Sequence, residues 1–127
     1  MNVFIYSHTH WDREWYLSQN QFQFRLIRTV DEIIDLIQAE NSFNVFVLDG
    51  QTCVLEDYLE IRPEQRGVLE ALIRAGKLVI GPWYTMPDTF LADGEALIRN
   101  LLRGCADCAA FGADFPNIGY VPDSFGH

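Results

Sequence analysis

Four short apolar runs, separated by longer amphipathic stretches, constrain this chain more than any other feature. The runs cover residues 3–6, 45–48, 78–80 and 118–121 and are mostly β-branched or aromatic, as strands buried in a parallel sheet are. Between them the apolar residues change period. Leu26, Val30, Ile33, Ile34 and Ile37 recur at helical spacing, with Arg25, Asp31, Glu32 and Asp35 on other faces. Pro63 suits a first helical position, Val68, Leu69, Leu72 and Ile73 form a stripe, and Gly76 suits the stop. Asp93 can cap a third helix whose stripe runs through Ile98, Leu101, Leu102 and Cys105 and ends near Gly112. The expected order is β-α-β-α-β-α-β, an α/β class with a parallel sheet and right-handed crossovers. Either an open doubly wound sheet or part of a barrel satisfies it.

The length of 127 residues fits about one domain, and no linker, repeat or low-complexity stretch divides it. A formal net charge of -9 repels phosphate backbones and anionic head groups. No nucleic-acid partner and no membrane surface is therefore expected. A neutral sugar would be indifferent to that charge. Asn2 leads directly into Val3, Phe4, Ile5 and Tyr6 with no basic stretch before them, and no apolar run approaches a membrane span. Cys53, Cys105 and Cys108 make an odd count, against a disulfide framework. A cytoplasmic location is the expectation. Cys105-Ala-Asp-Cys108 has the spacing of a redox pair, but it lies inside a helical pattern, where two cysteines read as small buried apolar residues.

In parallel α/β folds, sites form beyond the C-terminal ends of strands. All three histidines (His8, His10, His127) and all three tryptophans (Trp11, Trp15, Trp83) fall there. A single histidine in such a loop is ordinarily structural or solvated. Six such residues on one rim mark a candidate site.

The first loop reads His8-Thr9-His10-Trp11-Asp12-Arg13-Glu14-Trp15. In extended chain, residues two apart point the same way, so His10 and Asp12 can aim a ring nitrogen and a carboxylate oxygen at one ion. Mixed nitrogen and oxygen donors suit zinc. The third loop, Gly81-Pro82-Trp83-Tyr84-Thr85-Met86-Pro87-Asp88, sets Asp88 among aromatic residues, although an Asp after Pro is also an ordinary turn former. In the last loop, Pro122-Asp123-Ser124-Phe125-Gly126-His127, Asp123 and His127 can line a polar pocket, and an ordinary polar loop is the alternative. Asp49-Gly50-Gln51, after the second run, reads as a turn or a helix cap.

Taken in order, these motifs resemble glycoside hydrolase family 38. The first, continued to Tyr16, resembles the H-T-H-W-D-R-E-W-Y run of bacterial members. The segment ending Met86-Pro87-Asp88 resembles the one bearing the nucleophile, and Pro122 to His127 resembles the segment often written D-P-F-G-H. The resemblance covers essentially the whole sequence. It implies a zinc-dependent, retaining α-mannosidase acting on an α-mannoside or a mannose-containing oligosaccharide. His10 and Asp12 would ligate zinc, and Asp88 would be both ligand and catalytic nucleophile. Trp15 would form part of the sugar-binding floor, with Trp83, Asp123 and His127 as further sugar contacts. His8 would support the site by hydrogen bonds. The implied fold is a seven-stranded β/α barrel, of which residues 1–127 would be the N-terminal part. The family's last zinc histidine and its acid/base carboxylate would lie further along, so residues 1–127 alone are expected to be inactive. Oligomerisation of the longer enzyme stays open.

Two other readings compete. A metal-dependent amidohydrolase or deacetylase also carries H-x-H after its first barrel strand. It would need further His or Lys ligands on later strands, where only His127 is on offer. A non-catalytic carbohydrate- or zinc-binding module could keep the ligands and the tryptophan platform without an acid.

Overall fold

The computed structural model describes residues 1–39, 43–114 and 118–123. Three two-residue strands, β1 (Ser7–His8), β2 (Phe46–Val47) and β3 (Leu78–Val79), form one parallel sheet in the order β1-β2-β3. Ser7 stands opposite Phe46 and His8 opposite Val47; Phe46 in turn faces Leu78 and Val47 faces Val79. The parallel α/β expectation holds for these three strands. Pairing begins at Ser7, just beyond the run at residues 3–6, whose side chains are exposed.

Helix α1 (Gln19–Ala39) buries Phe22, Leu26, Val30, Ile33, Ile34 and Ile37, the stripe that its spacing foretold. Helix α3 (Arg66–Arg74) follows a single 3-10 turn that opens on Pro63, and it stops just before Gly76. Helix α4 (Gly94–Ala110) is capped by Asp93, whose carboxylate accepts from the Ala96 amide at 2.7 Å. Helix α2 (Cys53–Ile61) was not anticipated. Its exposed polar face is narrow, Glu56 and Glu60, while Cys53, Val54, Leu55, Asp57 and Tyr58 are all buried.

The core lies on one face of the sheet. Alternate residues Phe46, Leu48, Leu78 and Ile80 point into it, where they meet the α1 stripe, α2 and Leu69, Leu72 and Ile73 of α3. Helices α1 and α2 are tied by a polar clasp at its edge. The Tyr58 hydroxyl donates to Asp31 at 2.6 Å, and Arg62 donates to the other oxygen at 3.0 Å.

Three expectations need correction. The run at residues 3–6 forms no strand; the first strand is Ser7–His8. Residues 118–121 form no strand among the described residues. The Tyr120 carbonyl accepts from the Trp83 indole instead of a ladder amide, and the Tyr120 ring packs on Gly50. The stripe expected on α4 is also not its buried face. Ile98 and Leu102 are exposed, whereas Gly104 and Cys108 are buried. Close backbone approach, not side-chain size, decides how α4 docks. A Cβ on Gly104 would lie 2.1 Å from the Pro82 carbonyl oxygen.

Among the described residues no helix is long and apolar enough to cross a membrane. All three cysteines are free. Burial pushes the Cys53 and Cys108 thiols up to about 11, so both are packing groups rather than nucleophiles at neutral pH.

Candidate active site

The loops that follow β1 and β3, together with residues 120–123, meet above the end of β2. They surround an open cavity of about 200 Å³ lined by His10, Asp12, Asp88 and Asp123, and also by Gln51 and Met86. The structure brings His10, Asp12 and Asp123 closest: one ligand atom from each lies within 4.8 Å of the others. His10 Nε2 is 3.7 Å from Asp12 Oδ1 and 3.7 Å from Asp123 Oδ2. Two ligands held about 2.0–2.2 Å from one ion stand roughly 3.3–3.6 Å apart at the tetrahedral angle, so this spacing needs little adjustment. A set of one imidazole nitrogen and carboxylate oxygens fits zinc. Among the described residues that line the cavity, Arg13 is the one Lys or Arg. Arg13, at the cavity wall, is held by Asp57 through two hydrogen bonds of 2.7 and 2.6 Å.

Asp88 shares the cavity but stands outside that close triad. Its Oδ1 accepts from the Phe90 amide at 3.0 Å, the turn contact expected of an Asp after Pro. Trp15 is exposed on an adjoining hollow whose wall includes His10 and Asp12. Trp83 does not line the cavity. Its backbone bridges in parallel to Gln51, and its indole nitrogen donates to the Tyr120 carbonyl at 3.0 Å. His8 Nδ1 lies 2.7 Å from the Tyr120 hydroxyl. The remaining candidate, His127, lies outside the described residues.

Sequence reasoning set aside Asp49 and Gln51, and both are central. Asp49 is fully buried and sits at φ 48. Its Oδ2 accepts from the Trp11 amide at 2.6 Å and from Gln51 Nε2 at 2.7 Å. Its Oδ1 has no hydrogen-bond partner among the described residues and lies 3.4 Å from His10 Nδ1. Burial holds the Asp49 carboxyl above the usual carboxylate range; the Trp11 amide, Gln51 and His10 oppose that shift. Gln51 Nε2 also donates to the Trp11 carbonyl at 2.7 Å, while Gln51 Oε1 accepts from the Met86 amide at 3.0 Å. One side chain thus joins the loop bearing His10 and Asp12 to the loop bearing Asp88. The only hint in sequence was position: polar residues immediately beyond an apolar run.

Helix α4 fixes the third loop from outside. The Thr85 amide donates to Asn100 Oδ1 at 2.9 Å, and Asn100 Nδ2 donates to the Thr85 carbonyl at 2.6 Å.

A curated relative from Halalkalibacterium halodurans, described as "Putative mannosylglycerate hydrolase", is 48% identical over 122 residues, which make up 96% of this chain and 14% of the relative. The crystal structure of an α-mannosidase from Enterococcus faecalis superposes with a TM-score of 0.89 at 46% identity, covering 94% of this chain and 14% of that one. A second structure from Enterococcus faecalis, a protein in glycosyl hydrolase family 38, gives a TM-score of 0.87 at 43% identity, over 97% of this chain and 14% of the other. The chain thus spans about one seventh of the length of these relatives. The family description "Glycosyl hydrolases family 38 N-terminal domain" matches residues 1–127, and the chain belongs to that family.

Proposed function

We propose that this chain is the zinc-binding, nucleophile-bearing part of a glycosidase that hydrolyses α-mannosides with retention. The observation that carries this reading is the meeting of His10 and Asp12 with Asp88 in one cavity, within a chain of glycosyl hydrolase family 38. His10, Asp12 and Asp88 are the proposed zinc ligands. Asp123, beside His10, is placed to accept from a sugar hydroxyl or to add an oxygen to the ion. When bound, zinc supplies a Lewis acid that orients adjacent sugar hydroxyls and holds carboxylates ionised.

The protein's own groups then have defined tasks. The Asp88 carboxylate attacks the anomeric carbon. The bond to the aglycone oxygen breaks, and that oxygen takes a proton from a second carboxyl group, which the rest of the enzyme supplies. Water deprotonated by the same group then cleaves the glycosyl ester and restores Asp88. Retaining enzymes hold two such carboxyls about 5 Å apart. Trp15 offers an exposed flat face to the sugar's C–H groups beside His10 and Asp12.

The name of the Halalkalibacterium halodurans relative points to an aglycone that carries its own carboxylate, whereas the Enterococcus faecalis neighbour points to α-mannosides at large. Both are α-mannosides in this reading. Comparing kcat/KM for mannosylglycerate and for an activated neutral α-mannoside ranks them.

The deciding experiment treats the whole enzyme with an activated fluorinated mannosyl substrate and maps the adduct. Label on the peptide spanning residues 83–90, lost in Asp88→Asn, is the expected result. Reproducible labelling of another carboxylate refutes the assignment, and sugar binding without any turnover favours a non-catalytic module.

A further inference from the structure

We propose that Asp49 is a positioning residue: it holds the His10 ring with its hydrogen on Nδ1, leaving the Nε2 lone pair free to bind the metal. The inference rests on the reading of His10 as a metal ligand and goes beyond it in naming what sets that ligand's tautomer.

The geometry is specific. His10 presents Nδ1 to Asp49 Oδ1 at 3.4 Å and Nε2 to Asp12 and Asp123, each at 3.7 Å. Asp49 Oδ1 is buried and has no hydrogen-bond partner among the described residues, the His10 contact at 3.4 Å included, a costly condition for a carboxylate oxygen. A hydrogen on Nδ1 would satisfy that oxygen once the 3.4 Å separation closes by a few tenths of an ångström. The other oxygen is already committed, since Trp11 N and Gln51 Nε2 both donate to it. The carboxylate therefore cannot rotate without losing two good bonds, and the ring inherits its orientation from a group that cannot move. Ligating histidines generally need such a partner on the second nitrogen, and its loss typically costs 10–100-fold in metal affinity.

Asp49→Asn makes the clean test. The amide is isosteric, and Asn is among the residues that tolerate the positive φ found here. Two donors at Oδ2 fix the Asn carbonyl there, which turns the NH2 toward His10. A donor facing Nδ1 forces that nitrogen to accept, so the hydrogen moves to Nε2 and blocks the ligating lone pair.

The experiment has three arms. In unaltered, metal-free protein, at a pH where the ring is neutral, ¹⁵N NMR should show the His10 hydrogen on Nδ1. Finding it on Nε2 overturns the proposal, and this arm needs no variant to fold. In Asp49→Asn the hydrogen should move to Nε2, and Zn²⁺ affinity, read by chelator competition, should fall 10–100-fold. An unchanged tautomer or unchanged affinity overturns the proposal, even if stability falls. In the His10→Ala background, Asp49→Asn should weaken Zn²⁺ binding no further, whereas a fully additive loss shows that Asp49 does not act through His10. If unaltered protein binds no Zn²⁺, the metal reading fails, while the tautomer arm still decides whether Asp49 sets the ring.

Discussion

Gly104→Ala is a substitution whose sign depends on where the structure places it. In an exposed helix interior, replacing Gly by Ala gains about 1 kcal/mol in propensity. At Gly104 the new Cβ would lie 2.1 Å from the Pro82 oxygen, 2.4 Å from the Trp83 carbonyl carbon and 2.6 Å from the Tyr84 amide nitrogen. Restoring ordinary contact distance at the first of these needs a shift of about 1.3 Å. All three atoms are backbone, so no rotamer change relieves the contact. That backbone is also tied down: Trp83 N donates to the Gly50 carbonyl, and the Trp83 and Tyr84 carbonyls accept from Thr52 N and Cys53 N. Overpacking typically costs 1–3 kcal/mol, occasionally more, and a rigid neighbour puts this site at the upper end. A net loss of about 2 kcal/mol is expected, roughly 8 °C in melting temperature for a chain of this size. The assay is paired urea and thermal melts followed by far-UV circular dichroism. Gly67→Ala on α3 is the control, because a Cβ there meets nothing within 4 Å; it should be neutral or slightly stabilising. A Gly104→Ala protein that melts at or above the parent refutes the docking of α4 on residues 82–84.

Other outcomes follow from the same contacts. Arg13→Met leaves the buried Asp57 carboxylate without its two charged donors. Because Arg13 is itself 41% exposed, the loss should be about 1–2 kcal/mol by urea melt rather than the larger cost of breaking a fully buried pair. At pH 8 only Cys105 should react quickly with a thiol reagent, since Cys53 and Cys108 are buried with thiols pushed up to about 11; three thiols should titrate after unfolding. Those raised values also have a pH signature. The unfolded thiols ionise first, near pH 9 or just below, so denaturant melts should show stability falling as pH rises from about 9 to 11. Adding Zn²⁺ should raise the melting temperature, by about 2.7 kcal/mol of stability at one hundred times Kd, and His10→Ala or Asp12→Asn should abolish that rise while NaCl of equal ionic strength does not reproduce it.

Much of the fold is legible in the sequence because burial on one side leaves a period. The α1 stripe, the Asp93 cap and the stop before Gly76 are all local signals. What escaped reading lacks such a signal. Helix α2 is short and buries Cys53, Val54, Leu55, Asp57 and Tyr58, leaving only the narrow polar edge of Glu56 and Glu60, too little to stand out as a period. On α4 the large residues Ile98 and Leu102 suggest the wrong face, because the contact that positions the helix needs the absence of a side chain at Gly104. Residues 118–121 have strand composition, yet their described contacts are a carbonyl taken by Trp83 and a ring packed on Gly50. Composition reports what a segment can do; for residues 118–121 the outcome was set by Trp83 and Gly50, both more than 30 residues away.

The candidate site divides along the same line, for a topological reason. His10, Asp12, Asp88 and Asp123 stand in loops dense with His, Trp and Pro, which mark themselves. Asp49 and Gln51 stand in a segment that reads as a plain turn. Yet β2 is the middle strand, with β1 and β3 on either side. A residue just past the end of the middle strand of a parallel sheet is within reach of both flanking loops, whereas a residue past an outer strand adjoins only one. Gln51 uses that position, donating to Trp11 in one loop and accepting from Met86 in the other. Asp49 uses it to reach Trp11 and His10 from beneath. Groups that touch a ligand must be exposed, and they carry distinctive chemistry. Groups that align them must be buried between loops, so a short polar side chain suffices and composition does not betray it. In a three-stranded parallel unit, the polar residues after the central strand are therefore the place to look for whatever holds the site together.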